Sequence, residues 1–536
     1  MKASFKPLGL AAAVAAASAG YTGVAQATVA SNQLGDLALI PYYTVENGFV
    51  TGVHITNTSE VTQVVKLRMR RAMDSMDALD FNLILSPKDE WTGWIDATQL
   101  DEDSPTEIAF NTNDNSCTAP QSPNGRFVMP DDMTDSTTVD FRTGAEEGYI
   151  EVIAMGQTDG LQPIDTAALH GSDGVPFDCN AVASNFYRAT AYDNAGTVTP
   201  DLKQNGVVAT NTTHQCKGDT TTGLAPENCG NGAVVPNTFV DSENALKVSY
   251  FVRDAEGGLE MGSNAVHIQD FNTVPTLTNQ QTILAGTFDP MGYLFPDLDG
   301  GSPYVPAGDV VNRGLFDTVV RPDLGAQMIV NDWSTNPASN VRTDWVVTFP
   351  GQYTMLNLFD YIRALPDVTA TTDSTGVCTF ASLCDYRDIP VNVELTVYDR
   401  EEQSFTPAEG GLVVSPSVSA TPEGFVLRNE VNVVQWASAG VTPDPVLDSN
   451  YAVTNTVQLA NAVNGWAELD VTADPAKGGA QSVFQYGTDP NSATFDPVTD
   501  VAQVPMIGFT AWERSFPSNP DANYGRIIDH SFVVSS

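Results

Sequence analysis

Sixty-six aspartates and glutamates in 536 residues make carboxylate chemistry the first possibility to weigh. Two carboxyl groups about 5 to 10 Å apart are all that retaining or inverting glycoside hydrolysis demands. In a chain this acidic, however, such pairs arise on any sheet surface. Glu151, Glu394 and Glu468 fall on the polar faces of strand-like segments, where a solvated carboxylate is the default. Other reactions have no pattern to rest on. The five histidines, His54, His170, His214, His267 and His530, form no HxH or HxxxH pair that would aim two imidazoles at one metal. There is no GxSxG nucleophile elbow and no GxxxxGK[ST] phosphate cradle. Trp345, Trp466 and Trp512 could stack on sugars, although tryptophans within strands more often fill cores.

Calcium is the one cofactor the spacing suggests. Hard cations take several oxygens from flexible loops, and Asp297-Leu298-Asp299-Gly300 resembles the opening of a helix-loop-helix calcium loop. The pattern fails at its fifth position, Gly301, and at its twelfth, Gly308, where a bidentate glutamate belongs. Asp297 and Asp299 therefore stand as candidate ligands of a non-helical site, against the plainer reading that Asp and Gly make turns.

One cluster breaks the acidic pattern. Lys66, Arg68 and Arg70 alternate with Val65, Leu67 and Met69, and Asp74, Asp77 and Asp80 follow. The plainer expectation is a local ion-pair ladder, worth little if exposed. The sharper one is a stripe that docks an acidic loop of a second copy and builds a head-to-tail assembly.

The six cysteines predict three disulfides, with fifteen connectivities open in principle. Spacing favours Cys378 with Cys384 and Cys216 with Cys229, leaving Cys117 for Cys179. None lies in a CxxC context, so they read as loop staples rather than redox or zinc sites.

The elements that must carry these residues are mostly strands. Period-two alternation marks Val391 to Tyr398 and Leu246 to Val252 most clearly. The same pattern appears at 53–56, 64–69, 81–85, 149–155, 345–349, 431–436, 466–471 and 506–513. Asn57-Thr58-Ser59 predicts a tight turn that makes the flanking strands a hairpin. Helices are expected to be few and short, the best candidates being Cys179 to Tyr187 and Leu356 to Leu365, the second stopped by Pro366. Many short strands separated by turn residues predict a mainly β fold of antiparallel β-sandwiches, immunoglobulin-like, with long disulfide-stapled loops. The length predicts two such domains, 28–255 and 256–536, meeting near Arg253-Asp254-Ala255-Glu256-Gly257-Gly258. The intervals Asp96 to Gly148 and Gly156 to Val235 hold four cysteines and are where recognition is expected.

The address is read from residues 1–27. Lys2 and Lys6, the small apolar stretch Leu8 to Ala17, and Ala25-Gln26-Ala27 form a secretory signal peptide, with the mature chain starting at Thr28. A net charge of −42 disfavours nucleic acid and anionic membranes as partners and suits a saline medium or bound cations. No later apolar run is long enough for a membrane helix.

Several blocks are similar to a family of uncharacterised exported proteins of Gram-negative bacteria. They are Asp80-Phe81-Asn82-Leu83-Ile84-Leu85-Ser86-Pro87 with Glu90-Trp91-Thr92, Gly148-Tyr149-Ile150-Glu151-Val152, and Thr343-Asp344-Trp345-Val346-Val347-Thr348-Phe349-Pro350. Tyr398-Asp399-Arg400-Glu401-Glu402, Asn523-Tyr524-Gly525 and Asp529-His530 extend the resemblance over nearly the whole mature chain. It implies a secreted or surface-associated β-protein and carries no reaction, ligand or functional residue. Three readings follow. The first is a secreted or cell-surface structural or adhesive protein without catalysis, whose partner is a surface glycan, a protein or a second copy. The second is a carbohydrate-binding or substrate-capturing exoprotein, and the third a secreted hydrolase with an unrecognised carboxylate pair.

Overall fold

The computed structural model describes residues 28–98, 106–119, 121, 125–129, 144–184, 237–278, 296–298, 315–351, 391–401, 425–459, 462–471, 504–519 and 522–533. It also describes the two-residue strands at 207–208, 213–214, 404–405 and 412–413, and omits positions 76, 255, 274, 402 and 403. Residues 1–27, expected to be a signal peptide, Cys216, Cys229, Cys378, Cys384, Asp299 and the helix expected at 356–365 lie outside the described residues.

The chain is mainly β, in antiparallel sheets. Ten strands open it: β1 (Thr28–Val29), β2 (Leu37–Thr44), β3 (Phe49–Asn57), β4 (Gln63–Arg71), β5 (Asp77–Leu85), β6 (Glu90–Thr98), β7 (Glu107–Asn111), β8 (Cys117–Ala119), β9 (Arg126–Val128) and β10 (Glu147–Gln157). One sheet runs β1, the Val266–Gln269 strand, β2, β10, β4, β5 and β8. The facing sheet runs Leu259–Asn264, Leu246–Asp254, β3, β6, β7 and β9. This sandwich is larger than the seven- or nine-stranded immunoglobulin arrangement. The inward residues of β4, Val65, Leu67 and Met69, are those its alternation predicts, and Phe81 stacks on Phe127 at 4.0 Å in the same core.

A second, folded-over sheet follows. Its front half carries Val391–Asp399, Asn464–Asp470, Met328–Asn336 and Ser531–Val533. Its rear half carries Val431–Ser438, Val341–Thr348, Ile507–Arg514 and Tyr524–Asp529. The hairpin between Met328–Asn336 and Val341–Thr348 joins the halves. Between them Trp333 stacks on Trp436 at 5.4 Å, and Trp345 packs against Trp436 at 5.1 Å.

The two sandwiches share a core. Val346, Val433, Phe509 and Ala511 point away from the tryptophans and join the first sandwich's interior, where Phe509 meets Tyr42 and Tyr250 at 6.5 and 6.4 Å. Two expectations change as a result. The boundary expected near 253–258 falls inside one sandwich: Leu246–Asp254 and Leu259–Asn264 pair antiparallel across a turn at 256–258, and both strands belong to the first sandwich. Gly258 supplies the turn's positive φ of 72°. Asn57-Thr58-Ser59 does make a turn, but β3 and β4 lie in different sheets, so it is an arch rather than a hairpin. Asn57 holds it by accepting the Ser59 N–H at 2.9 Å and donating to the Val61 and Ser86 carbonyls at 2.8 Å each.

Candidate functional site

The basic stripe comes first because its environment reverses the sequence expectation. With β4 between β5 and β10, Arg68 lies opposite Asp80 and Glu151, and Arg70 opposite Asp77 and Tyr149. The ladder of local ion pairs forms: Lys66 Nζ to Asp80 Oδ1 at 3.0 Å, Arg68 Nε to Asp77 Oδ2 at 3.2 Å, and Arg70 Nε to Glu151 Oε1 at 2.7 Å. It is not exposed, however, since Lys66, Arg68, Arg70, Asp80 and Glu151 are all fully buried. Burial pushes Asp77 well above the usual carboxylate range and Lys66 below the usual amine range. Buried and engaged in this way, the stripe is not a surface that docks a second copy. Alternation shows which side chains share a face, not whether another layer covers it.

Glu147, at the start of β10, makes a multiple polar link between the sandwiches. Its Oε2 accepts the backbone N–H groups of Asn450, Tyr451 and Ala452 at 3.1, 2.7 and 3.0 Å, and its Oε1 accepts the Tyr42 hydroxyl at 2.5 Å. Nearby, a cleft of about 410 Å³ is lined by Glu46, Asn47, Gly48, Glu146, Asn450 and Tyr451. Asn450 Nδ2 donates to Glu46 Oε2 at 2.7 Å, so that carboxylate is used structurally. Among the described residues no group of three or more histidines, cysteines, aspartates or glutamates could hold a metal. Asp297 is buried, away from solvent.

The histidines are apart, and two are structural. His267 Nε2 accepts the Val248 N–H at 2.9 Å, and His530 Nε2 lies 2.9 Å from the Val346 carbonyl. Burial pushes both down to about 4. Of the tryptophans, Trp345 is core, Trp512 is half-buried with the Arg526 guanidinium 4.5 Å above it, and Trp466 is 37% exposed.

Among the described residues, the long interval after Gly156 holds the two most exposed large apolar side chains, Leu161 and Phe177. Cys117 of β8 and Cys179 form the disulfide expected from spacing, with Cα atoms 5.1 Å apart. Cys179 opens helix α2 (Cys179–Ser184), and helix α1 (Pro163–Ala168) precedes it, started by a capping box between Gln162 and Asp165. Between the helices the chain doubles back as a small hairpin. Phe177 N–H donates to the Leu169 carbonyl at 3.1 Å, Gly171 N–H donates to the Val175 carbonyl at 2.8 Å, and His170 bridges Pro176. Residues opposite each other in antiparallel pairing share a face, as do residues two apart. Leu169, Val175 and Phe177 therefore share one face, and they are 43%, 47% and 65% exposed. His170 and Pro176 take the other, where Pro176 is buried and His170 Nδ1 sits 3.3 Å from Ser86 Oγ. Sequence reading pointed to this interval but missed the face. Its only signal is the Val175-Pro176-Phe177 alternation.

No protein-family model matches the chain, and no curated protein is significantly similar to it.

Proposed function

We propose that this chain is an exported binding protein, secreted or held at the surface of a Gram-negative cell, that works by adhesion rather than catalysis. The observation that carries this reading is the face of Leu169, Val175 and Phe177. It is apolar and solvent-facing, and it is held rigid by the Cys117–Cys179 staple and the hairpin hydrogen bonds. A pre-organised apolar centre loses little entropy on docking. Asp159, Asp173 and Asp178 surround it in the sequence, so the partner this face fits is a protein patch with an apolar centre and a basic rim. The same acidity argues against nucleic acid and anionic lipid.

The test replaces Val175 and Phe177 with serine and follows the exported protein into washed cells and culture fluid. The native protein is expected to sediment with cells and the double variant to move at least tenfold into the fluid, with circular dichroism unchanged. Anchor residues of this kind are worth about 2 kcal/mol or more. A native protein found only in the fluid would overturn attachment to the producing cell, and an unchanged partition of the double variant would overturn the role given to this face.

A further inference from the structure

The outward face of the front half-sheet in the second sandwich carries a different kind of surface. Cross-strand pairing places Tyr398, Trp466 and Asp332 in one row and Thr396, Glu468 and Val330 in the next. Tyr398 and Trp466 stack at 4.0 Å with their planes 9° apart. Tyr398 Oη donates to Glu468 Oε1 at 2.9 Å and fixes the Tyr398 ring from the second row. Gly465 lets the strands approach, because a Cβ there would meet the Tyr398 carbonyl oxygen at 1.9 Å.

Two rings stacked face to face at directly opposed positions on adjacent strands have their planes along the strand direction, so the second face of Trp466 looks toward the strand on its other side, about 4.8 Å away. That strand presents Asp332, a short and exposed side chain, while its neighbours Asn331 and Trp333 are buried inward. The exposed Trp466 thus stands beside the short, exposed, acidic side chain of Asp332. Among the described outward residues of the paired strands, the charged groups are Asp332, Glu394, Glu468 and Asp470, all acidic, with Arg400 in the turn beyond Tyr398.

We infer that Trp466 and Asp332 form a binding site for a neutral pyranose polymer, the tryptophan stacking on a sugar ring and the aspartate accepting its hydroxyl protons. The C–H face of a pyranose suits an indole face, and its hydroxyls need acceptors, which this face supplies. Uronic-acid polymers and phosphates are excluded by like charge. A peptide would want a groove with side-chain pockets, and the row is an exposed ring beside an acid. This site goes beyond the hairpin reading and lies on a different sheet.

The test is native affinity electrophoresis of the full mature chain through gels containing mixed-linkage glucan, xylan, galactomannan or, as the anionic control, polygalacturonate. Retardation by at least one neutral polymer is expected. Trp466→Ala should weaken it at least tenfold, Asp332→Ala should weaken it, and Trp466→Phe should retain part of it. The Val175 and Phe177 double variant should bind glycan like the native chain, so failure of the hairpin reading leaves this one standing. The inference is overturned if no neutral polymer retards the protein, if Trp466→Ala migrates like the native chain, or if only polygalacturonate retards it. Unchanged near-ultraviolet circular dichroism apart from the lost indole establishes that the Trp466→Ala chain is folded.

Discussion

Replacing Glu147 with alanine tests whether the two sandwiches are one cooperative unit. The carboxylate is fully buried and accepts four hydrogen bonds, three of them from consecutive backbone N–H groups of the second sandwich. Hydrogen bonds to a charged acceptor contribute about 1.5 to 3 kcal/mol each, a gross figure of about 6 to 12 kcal/mol for the set. Desolvating the carboxylate costs several kcal/mol in return, so the expected net loss is about 3 to 5 kcal/mol. Glutamine should cost less, about 1 to 2 kcal/mol. Its oxygen can keep the three backbone donors while its amide donates to the Tyr42 oxygen, whose hydroxyl is free to turn. Equilibrium unfolding in guanidinium chloride, followed by tryptophan fluorescence, gives both values from midpoint and slope. A second transition in the alanine variant would show that this link makes the two sandwiches unfold together. An alanine variant within 1 kcal/mol of the native chain, or a glutamine variant as damaged as alanine, would refute the reasoning.

The buried ladder makes a second prediction: Arg70→Met should destabilise by about 3 to 5 kcal/mol, because Glu151 loses the guanidinium 2.7 Å away. Charge reversal at Arg68 and Arg70 should therefore unfold the monomer, and a folded variant with altered sedimentation would contradict the burial. A third concerns pH. Burial holds Asp36 and Asp344 up at about 7 and Glu430 at about 8, so the folded chain keeps protons that the unfolded chain has lost. Their contribution makes stability fall as pH rises from the ordinary carboxylate range to about 8. His267 and His530, held down at about 4, act in the opposite sense up to their ordinary value of 6.5. The carboxyl effect is thus clearest from pH 6.5 to 8, where the urea midpoint should drop with a shallower slope in Asp36→Asn. A midpoint that rises across that window, or a slope Asp36→Asn leaves unchanged, would count against it.

The features legible from the amino-acid order are local ones. Alternation placed β4, β5, β10 and the strands at 246–254, 341–348, 391–399, 431–438, 464–470 and 507–514, because period two is a property of one strand and needs no partner. The Cys117–Cys179 staple was legible from spacing and the ion-pair partners of Lys66 and Arg68 from proximity. Which faces are covered depends on long-range packing. The polar face of β4 looks like any solvated strand face until its burial is seen, and Val346 and Phe509 look like residues of their own sandwich until they enter the other's core. The turn at 253–258 reads equally well as a linker or a hairpin, since both need the same residues, and the pairing of Leu246–Asp254 with Leu259–Asn264 chose. Trp345, Trp466 and Trp512 are alike in sequence, yet the layering buried the first, left the second standing over Asp332, and set the third beneath an arginine. A chain's own pattern records what each residue can bury or expose, and long-range packing alone determines which it does.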